Sequence, residues 1–432
     1  MMRFQTLPEW LQWQEKLHFT EVDPGLERVG QVWRQLGGSS KLPFTVITVA
    51  GTNGKGSSVA MLDSILCAAG YRTGTYTSPH LLRYNERIRV EGHSCDDTMI
   101  CESFNRIDHA RGQTSLTYFE FSTLAAVDIF CRQNIDIAIL EVGMGGRLDA
   151  VNLFDTDIAL ITPISLDHTM WLGSNREQIG TEKAGIIRQY KPVVYSETKP
   201  PETVLSYAKA LQTPIFLADS DFRISYDSDN NGWNWASQSI QIQNLPLPAL
   251  AGSYQVQNAA AVLQVITLLN AQNYTISEQD IKTGLTTVKL AGRFQRIQGD
   301  VEQIFDVTHN QQGAENLVKL LAETPCIGRT IAVLAMLKDK DVSALVSILE
   351  KSIDLWYIAG LQGCRGMTGH DLAIQVTKIV GEDKVLDHKM VVDAYQQAMQ
   401  EAQKGDRVLI FGSFHTVESV LRLNNEQTEE RT

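Results

Sequence analysis

One short stretch combines glycines, a lysine and hydroxyls in an order that suits an anion: Ala50-Gly51-Thr52-Asn53-Gly54-Lys55-Gly56-Ser57-Ser58. It lies between an apolar run and a helical pattern. Backbone N–H groups of such a loop, with the helix N-terminus behind them, form an anion site. Lys55 adds a point charge for the β- and γ-phosphates of a nucleotide, and a hydroxyl at Ser57 or Ser58 could reach a phosphate or Mg²⁺. The spacing departs from the strict phosphate-loop pattern, because position 49 is Val and Gly56 stands between Lys55 and the first serine. A bare glycine turn is the alternative, and the strand–loop–helix context weighs against it. Other residues could do chemistry in such company. Glu141 ends an apolar run beside a glycine turn, where a carboxylate is costly unless it is paired or metal-bound. His168 follows Asp167 in a loop, a setting in which a lone His is more often structural. Ser78 alone is a turn serine before Pro79, and Glu182-Lys183 alone reads as a solvated helix end.

The elements that must position these residues alternate between strand and helix. Phe44–Ala50, Ile135–Val142 and Asp157–Ile164 are continuous apolar, β-branched runs. Helical patterns cover Ser57–Ala69 and Phe119–Arg132. This alternation predicts a mostly parallel sheet covered on both faces. The texture changes between Phe222 and Pro248, where short alternating runs around the turn residues 227–232 predict small antiparallel strands. Helices resume at Tyr254–Asn270 and Ser277–Thr287, and Lys289–Arg293 reads as a connection. Beyond it a second alternation runs through Gln303–Val307, Thr330–Met336, Leu355–Ala359 and Arg407–Gly412. The expected fold is therefore α/β: a P-loop-type, mostly parallel sheet domain with a small antiparallel addition over 1–295, and a smaller Rossmann-like α/β domain over 296–432.

Composition excludes several function classes. A chain of 432 residues with net charge −12 lacks the basic face of a nucleic-acid binder. No apolar run is long enough to span a membrane, and Met1–Trp10 lacks the features of a secretory signal. Six scattered cysteines (Cys67, Cys95, Cys101, Cys131, Cys326, Cys364) show no zinc spacing and read as reduced thiols, which points to the cytoplasm. The polar segment 424–432 is expected to fray.

Gly-Thr-Asn-Gly-Lys-Gly followed by Ser resembles the loop of the Mur ligase superfamily, and the Gly after the Lys resembles its folate-using branch. Further blocks follow in order: Thr77–Leu81, Tyr84–Ile88, Leu140–Ala150 (LEVGMGGRLDA), Ile164–Leu172 (ISLDHTMWL), Glu182–Ile186, Ala291–Phe294, Phe305–Asn310 and Phe411–Val417. Leu26–Val29 and Ser115–Glu120 resemble the bifunctional bacterial form of that branch. The resemblance spans nearly the whole chain. It implies an ATP-dependent, ADP-forming ligase that adds L-glutamate to dihydropteroate and further glutamates to tetrahydrofolate forms. The carboxylate would be activated as an acyl phosphate, work that needs alignment and charge neutralisation.

Residue by residue, the resemblance implies nucleotide contacts at Gly51, Thr52, Asn53, Gly54, Lys55, Gly56, Ser57, Asn258, Arg293 and Asp306. It implies two Mg²⁺ ions, the first on Ser78 and Glu141 and the second on His168 and Lys183. Lys183 matches the superfamily's carbamylated lysine, so Lys55, Lys183 and His168 become the catalytic candidates. The implied pterin pocket comprises Glu21, Val22, Asp23 and Pro24; Thr117, Tyr118, Phe119 and Glu120; and Gly146, Arg147, Leu148 and Asp149. A monomer that binds only small molecules is expected. Two alternatives remain open: another Mur-type acid–amino-acid ligase, and an ATPase module without ligase chemistry. Ser413 could serve the site or simply cap the next helix.

Overall fold

A computed structural model describes residues 2–39, 41–227 and 231–429. The chain divides into two compact units, one of Met1–Ala249 with Gln255–Lys289 and the other of Leu250–Tyr254 with Leu290–Thr432. The division precedes the expected 295/296 boundary because the strand Gln295–Ile297 pairs antiparallel with Glu302–Phe305 in the second unit.

The first unit is built on eight strands: β1 (Thr45–Ala50), β2 (Thr73–Tyr76), β3 (Ile88–Val90), β4 (His93–Ser94), β5 (Ile137–Glu141), β6 (Ile158–Ile161), β7 (Val193–Tyr195) and β8 (Ile215–Leu217). Their order is β4-β3-β2-β5-β1-β6-β7-β8. The pairs from β2 through β8 are parallel, and β3 and β4 add an antiparallel edge. Every residue of β5 is buried, as is all of β1 except Thr45. This explains why both read as unbroken apolar runs. Register then fixes the chemistry. Val49 lies opposite both Glu141 and Leu160, and Ala50 lies opposite Ile161. The loop after β1, the carboxylate ending β5 and the segment after β6 therefore emerge together at the carboxyl edge of the sheet, where ligands of open α/β sheets bind.

The strands β9 (Phe222–Tyr226), β10 (Gly232–Ser237) and β11 (Gln241–Pro246) form the expected small antiparallel sheet. Residues 228–230, part of the turn expected there, lie outside the described residues. Trp235 of β10 donates its indole N–H to the Ala260 carbonyl at 3.0 Å, which ties this sheet to the helix Ser253–Ala271.

The second unit has six strands: β12 (Gln295–Ile297), β13 (Glu302–Phe305), β14 (Thr330–Leu334), β15 (Leu355–Ala359), β16 (Val385–His388) and β17 (Arg407–Phe411), in the order β12-β13-β17-β14-β15-β16. All pairs but β12–β13 are parallel. The final helix continues to Glu429. The segment expected to fray is thus helical over 424–429, and 430–432 lie outside the described residues. Among the described residues no helix is long and apolar enough to cross a membrane.

Candidate active site

The loop after β1 is stitched to the end of β6. Thr52 N–H donates to the Pro163 carbonyl at 2.9 Å. The Thr52 hydroxyl donates to the Ser165 carbonyl and accepts from Ser165 N–H, both at 3.1 Å. Gly54, at φ +92°, is the N-cap of the helix Lys55–Ala68. A side chain there would be strained by the left-handed backbone and would start 2.7 Å from Asn258 Oδ1. The first helical bond runs from Ser58 N–H to Gly54 O at 2.9 Å. The amides of Lys55, Gly56 and Ser57 therefore lie in the first turn, where an α-helix has no carbonyl to offer them. The Ser58 hydroxyl is buried without a protein partner. Lys55 Nζ rests on two loop carbonyls, Gly51 at 3.2 Å and Thr52 at 3.3 Å. Gln255 and Asn258 back the loop from the helix behind it. Gln255 Nε2 donates to Ser57 Oγ at 3.2 Å, and Asn258 Nδ2 donates to Gln255 Oε1 at 3.1 Å.

Lys183 is the largest departure from the composition-only reading. It is no solvated helix end, since only 3% of its surface is exposed. Its ammonium donates to the Gly51 carbonyl at 2.6 Å, the acceptor that Lys55 also uses. The glycine turn after β5 makes this burial possible. Arg147 N–H donates to the Glu182 carbonyl at 2.8 Å, and its guanidinium bonds the Glu182 carboxylate at 2.8 Å. A methyl at Gly146 would stand 2.7 Å from that same carbonyl, so only glycine admits the helix end so close. Burial lowers the Lys183 pKa from 10.5 to about 7. The Lys55 charge adds to the shift, and the charges of Asp167 and Asp149 oppose it.

Asp149 is its electrostatic counterpart. The carboxylate is buried and accepts from Met144 N–H at 2.9 Å and Val151 N–H at 3.0 Å. Desolvation raises its pKa to about 6 against those bonds. Glu141 is 5% exposed and accepts from Ser78 N–H at 3.3 Å, which brings two of the implied metal-site residues together. His168 has a left-handed backbone, and its N–H donates to Asp167 Oδ1 at 2.8 Å. Among the described residues no group of three His, Cys, Asp or Glu side chains could hold a metal ion.

Thr117 caps the helix Tyr118–Gln133, and Glu120 returns the bond to Thr117 N–H at 2.8 Å. Glu120 also pairs with Arg28 Nε at 2.9 Å. Asp23 accepts from the Arg28 guanidinium and lies 3.1 Å from His18 Nε2. These two carboxylates are thus held by protein partners. Phe119 packs on Tyr76 with ring centroids 5.8 Å apart, while the Arg87 guanidinium lies over the Tyr118 ring at 5.3 Å. The block Tyr84–Ile88 shapes this region: Glu86 collects the amides of Leu81, Leu82 and Arg83 at 2.8 Å, and Arg87 donates to His80 Nδ1 at 2.8 Å.

In the second unit, Asp306 accepts from Phe294 N–H and Thr308 N–H, both at 2.8 Å, and so braces the segment that carries Arg293. The Arg293 guanidinium lies over the Phe414 ring at 5.2 Å. Ser413 accepts from His415 N–H at 3.2 Å, a helix-capping bond. Ser165, Gln255, Arg28 and His18 were absent from the sequence-derived site residues, although Ser165 and Arg28 lie within quoted motif blocks; each supports the site through hydrogen bonds to distant segments.

Two family models match the chain: the Mur ligase middle domain over residues 49–266, and the Mur ligase glutamate ligase domain over residues 292–414. The chain belongs to the Mur ligase family. It is 42% identical over 417 residues to the dihydrofolate synthase/folylpolyglutamate synthase of Escherichia coli (strain K12), with 96% of this chain and 95% of that protein covered. The structure of E. coli FolC in complex with DHPP and ADP matches this Mur ligase with TM-score 0.91 and 40% identity, over 98% of this chain and 99% of the other. A bifunctional folylpolyglutamate synthase/dihydrofolate synthase with Mn, AMPPNP and L-glutamate bound matches with TM-score 0.88 and 40% identity, over 98% of both chains.

Proposed function

We propose that this Mur ligase is an ATP-dependent, ADP-forming ligase that joins L-glutamate to dihydropteroate and adds further glutamates to reduced folates. The observation that carries the reading is the convergence of Lys55 and Lys183 on the Gly51 carbonyl, at the turn of a loop whose helix amides face outward. Lys55 offers a cation for a polyphosphate there, and the lowered pKa of Lys183 frees its amine at the same turn.

The residues present fit a nucleotide and a divalent ion. The amides of Lys55, Gly56 and Ser57 and the Lys55 ammonium would hold the phosphates, and Asn258, which packs at Gly54, would keep the loop in place. Arg293 and Asp306 are our candidates for further nucleotide contacts. Ser78 and Glu141 would hold the first Mg²⁺, and His168 with a carbamate on Lys183 the second. These ions would neutralise charge on the transferring phosphoryl group. The chain's own part is alignment: the loop fixes the phosphates, Lys55 follows the charge as it moves to the acid, and Asp149 keeps the glycine turn shaped. Activation of the acid as an acyl phosphate then leaves a good leaving group for the amine of glutamate. A Lys183 pKa near 7 leaves a large share of neutral amine at physiological pH, the form that adds CO₂. We assign the pterin-facing surface to segments 21–24, 117–120 and 146–149. We place the enzyme in the cytoplasm as a monomer; its six cysteines are free thiols.

The test is ADP release with ATP and Mg²⁺, measured with dihydropteroate plus L-glutamate and with tetrahydrofolate plus L-glutamate. Release should require acid and amine together. ATPase activity unchanged by omitting both would overturn the ligase reading in favour of a nucleotide-hydrolysing module.

A further inference from the structure

The mechanism gives no role to Arg28 and His18, which centre a part-buried polar cluster. The cluster links the segment His18–Pro24 to the segment Ser115–Glu120. Arg28 is its centre: Nε pairs with buried Glu120 at 2.9 Å, while the two terminal nitrogens donate to the Asp23 carboxylate and the Asp23 carbonyl. His18, with a side chain 4% exposed, bridges Asp23 Oδ2 at 3.1 Å and Ser115 Oγ at 2.9 Å. Glu120 is itself fixed by the Thr117 amide at 2.8 Å and the Thr117 hydroxyl at 2.9 Å. A guanidinium fork that grips a side chain and a main-chain oxygen of one residue sets that residue's position, not merely its charge. Phe19, whose ring is tilted against His18 with centroids 4.3 Å apart, is 84% exposed.

We propose that Arg28 and His18 are positioning residues that latch the segment Phe19–Pro24 to the Thr117–Glu120 turn, so that the two form a preset wall for the aromatic acid substrate. The inference rests on the ligase reading above. Without the latch the wall must be ordered anew each time the acid binds, and binding weakens while the phosphoryl chemistry does not.

The variant Arg28→Met alone would strand the Glu120 charge and could unfold the protein. The test therefore uses Arg28→Lys, whose ammonium can still pair with Glu120 but cannot grip both Asp23 oxygens, together with Ser115→Ala. The dihydropteroate KM should rise about tenfold in Arg28→Lys and about fivefold in Ser115→Ala, the size expected for re-ordering a few side chains. The KM for ATP and kcat should stay within about twofold, which marks lost substrate binding without lost catalysis. A folded Arg28→Lys variant with the wild-type dihydropteroate KM would overturn the latch. So would a KM for ATP and a kcat that change in step with it, since that pattern indicates a general loss of structure. Failure of the wild-type enzyme to show acid-dependent ADP release would instead overturn the ligase reading and leave this result distinguishable from it.

Discussion

Replacing Lys183 by Met should separate stability from activity. The folded protein holds this amine at a pKa of about 7 against 10.5 when exposed. At about 1.4 kcal/mol per tenfold change in proton affinity, keeping the ammonium buried costs about 5 kcal/mol. The bond to Gly51 O is already counted in that shift, so methionine should make the folded protein more stable than wild type by up to about 5 kcal/mol near pH 6.5. The pH dependence has a fixed sign. Folding lowers this pKa, so the unfolded chain binds the extra proton between pH 7 and pH 10.5. The penalty is full below pH 7 and fades as pH rises through that window. Urea unfolding of both proteins in bicarbonate-free buffer should show the variant's advantage shrinking, with most of the penalty gone by pH 10. Activity should go the other way. Both ligations should fall by about 10²–10³-fold or more, the cost of losing a preorganised charge at the reacting group. Small carboxylic acids should restore part of it by standing in for the carbamate, and Lys183→Arg should stay inactive. Carbon-13 NMR under labelled CO₂ should show a carbamate signal in wild type alone. A fully active Lys183→Met variant, or a stability gap that is flat from pH 6.5 to pH 10, would refute the reasoning.

Lys55→Ala should keep the wild-type melting temperature, because its ammonium touches only loop carbonyls, while kcat drops by about 10²-fold or more; near-native kcat in a folded variant would show the loop assignment to be wrong. Glu141→Gln should abolish ligation of dihydropteroate and of tetrahydrofolate alike, since one phosphate loop and one Glu141 carboxylate serve both. Loss of one activity with the other intact would require a second centre.

The first unit's central strands were legible because burial on both faces writes itself into sequence as unbroken β-branched runs, and β1, β5 and β6 fall inside the predicted runs. The short strands were not legible, including β2 and β7, which are buried but only four and three residues long. β3 is three residues long, β4 is exposed, β8 is only partly buried, and β12 is mostly exposed, so none carries a periodic signal. The helix Glu27–Gln35 was seen only as the motif Leu26–Val29. The turn between β1 and the helix Lys55–Ala68 was legible because its signal is local: glycines, a lysine and serines in one run between strand and helix. The resemblance named Lys183, but its burial was not legible, because it depends on residues far away in sequence. Gly51 supplies the acceptor and Gly146 the room, and neither position hints at residue 183 until the sheet sets the loops after β1 and β5 side by side.

The same logic explains why three of the four carboxylates of the implied pocket, Asp23, Glu120 and Asp149, divide as they do. Asp23 and Glu120 sit near basic residues of their own scaffold and are bound by them. Asp149 has only backbone amides and the field of Lys55, and its pKa rises. A carboxyl group held near pH 6 in the field of Lys55 can change protonation when a polyanion arrives. Sequence type alone makes these three acids equivalent. Their partners, contributed by distant segments, make two of them framework and leave the third responsive.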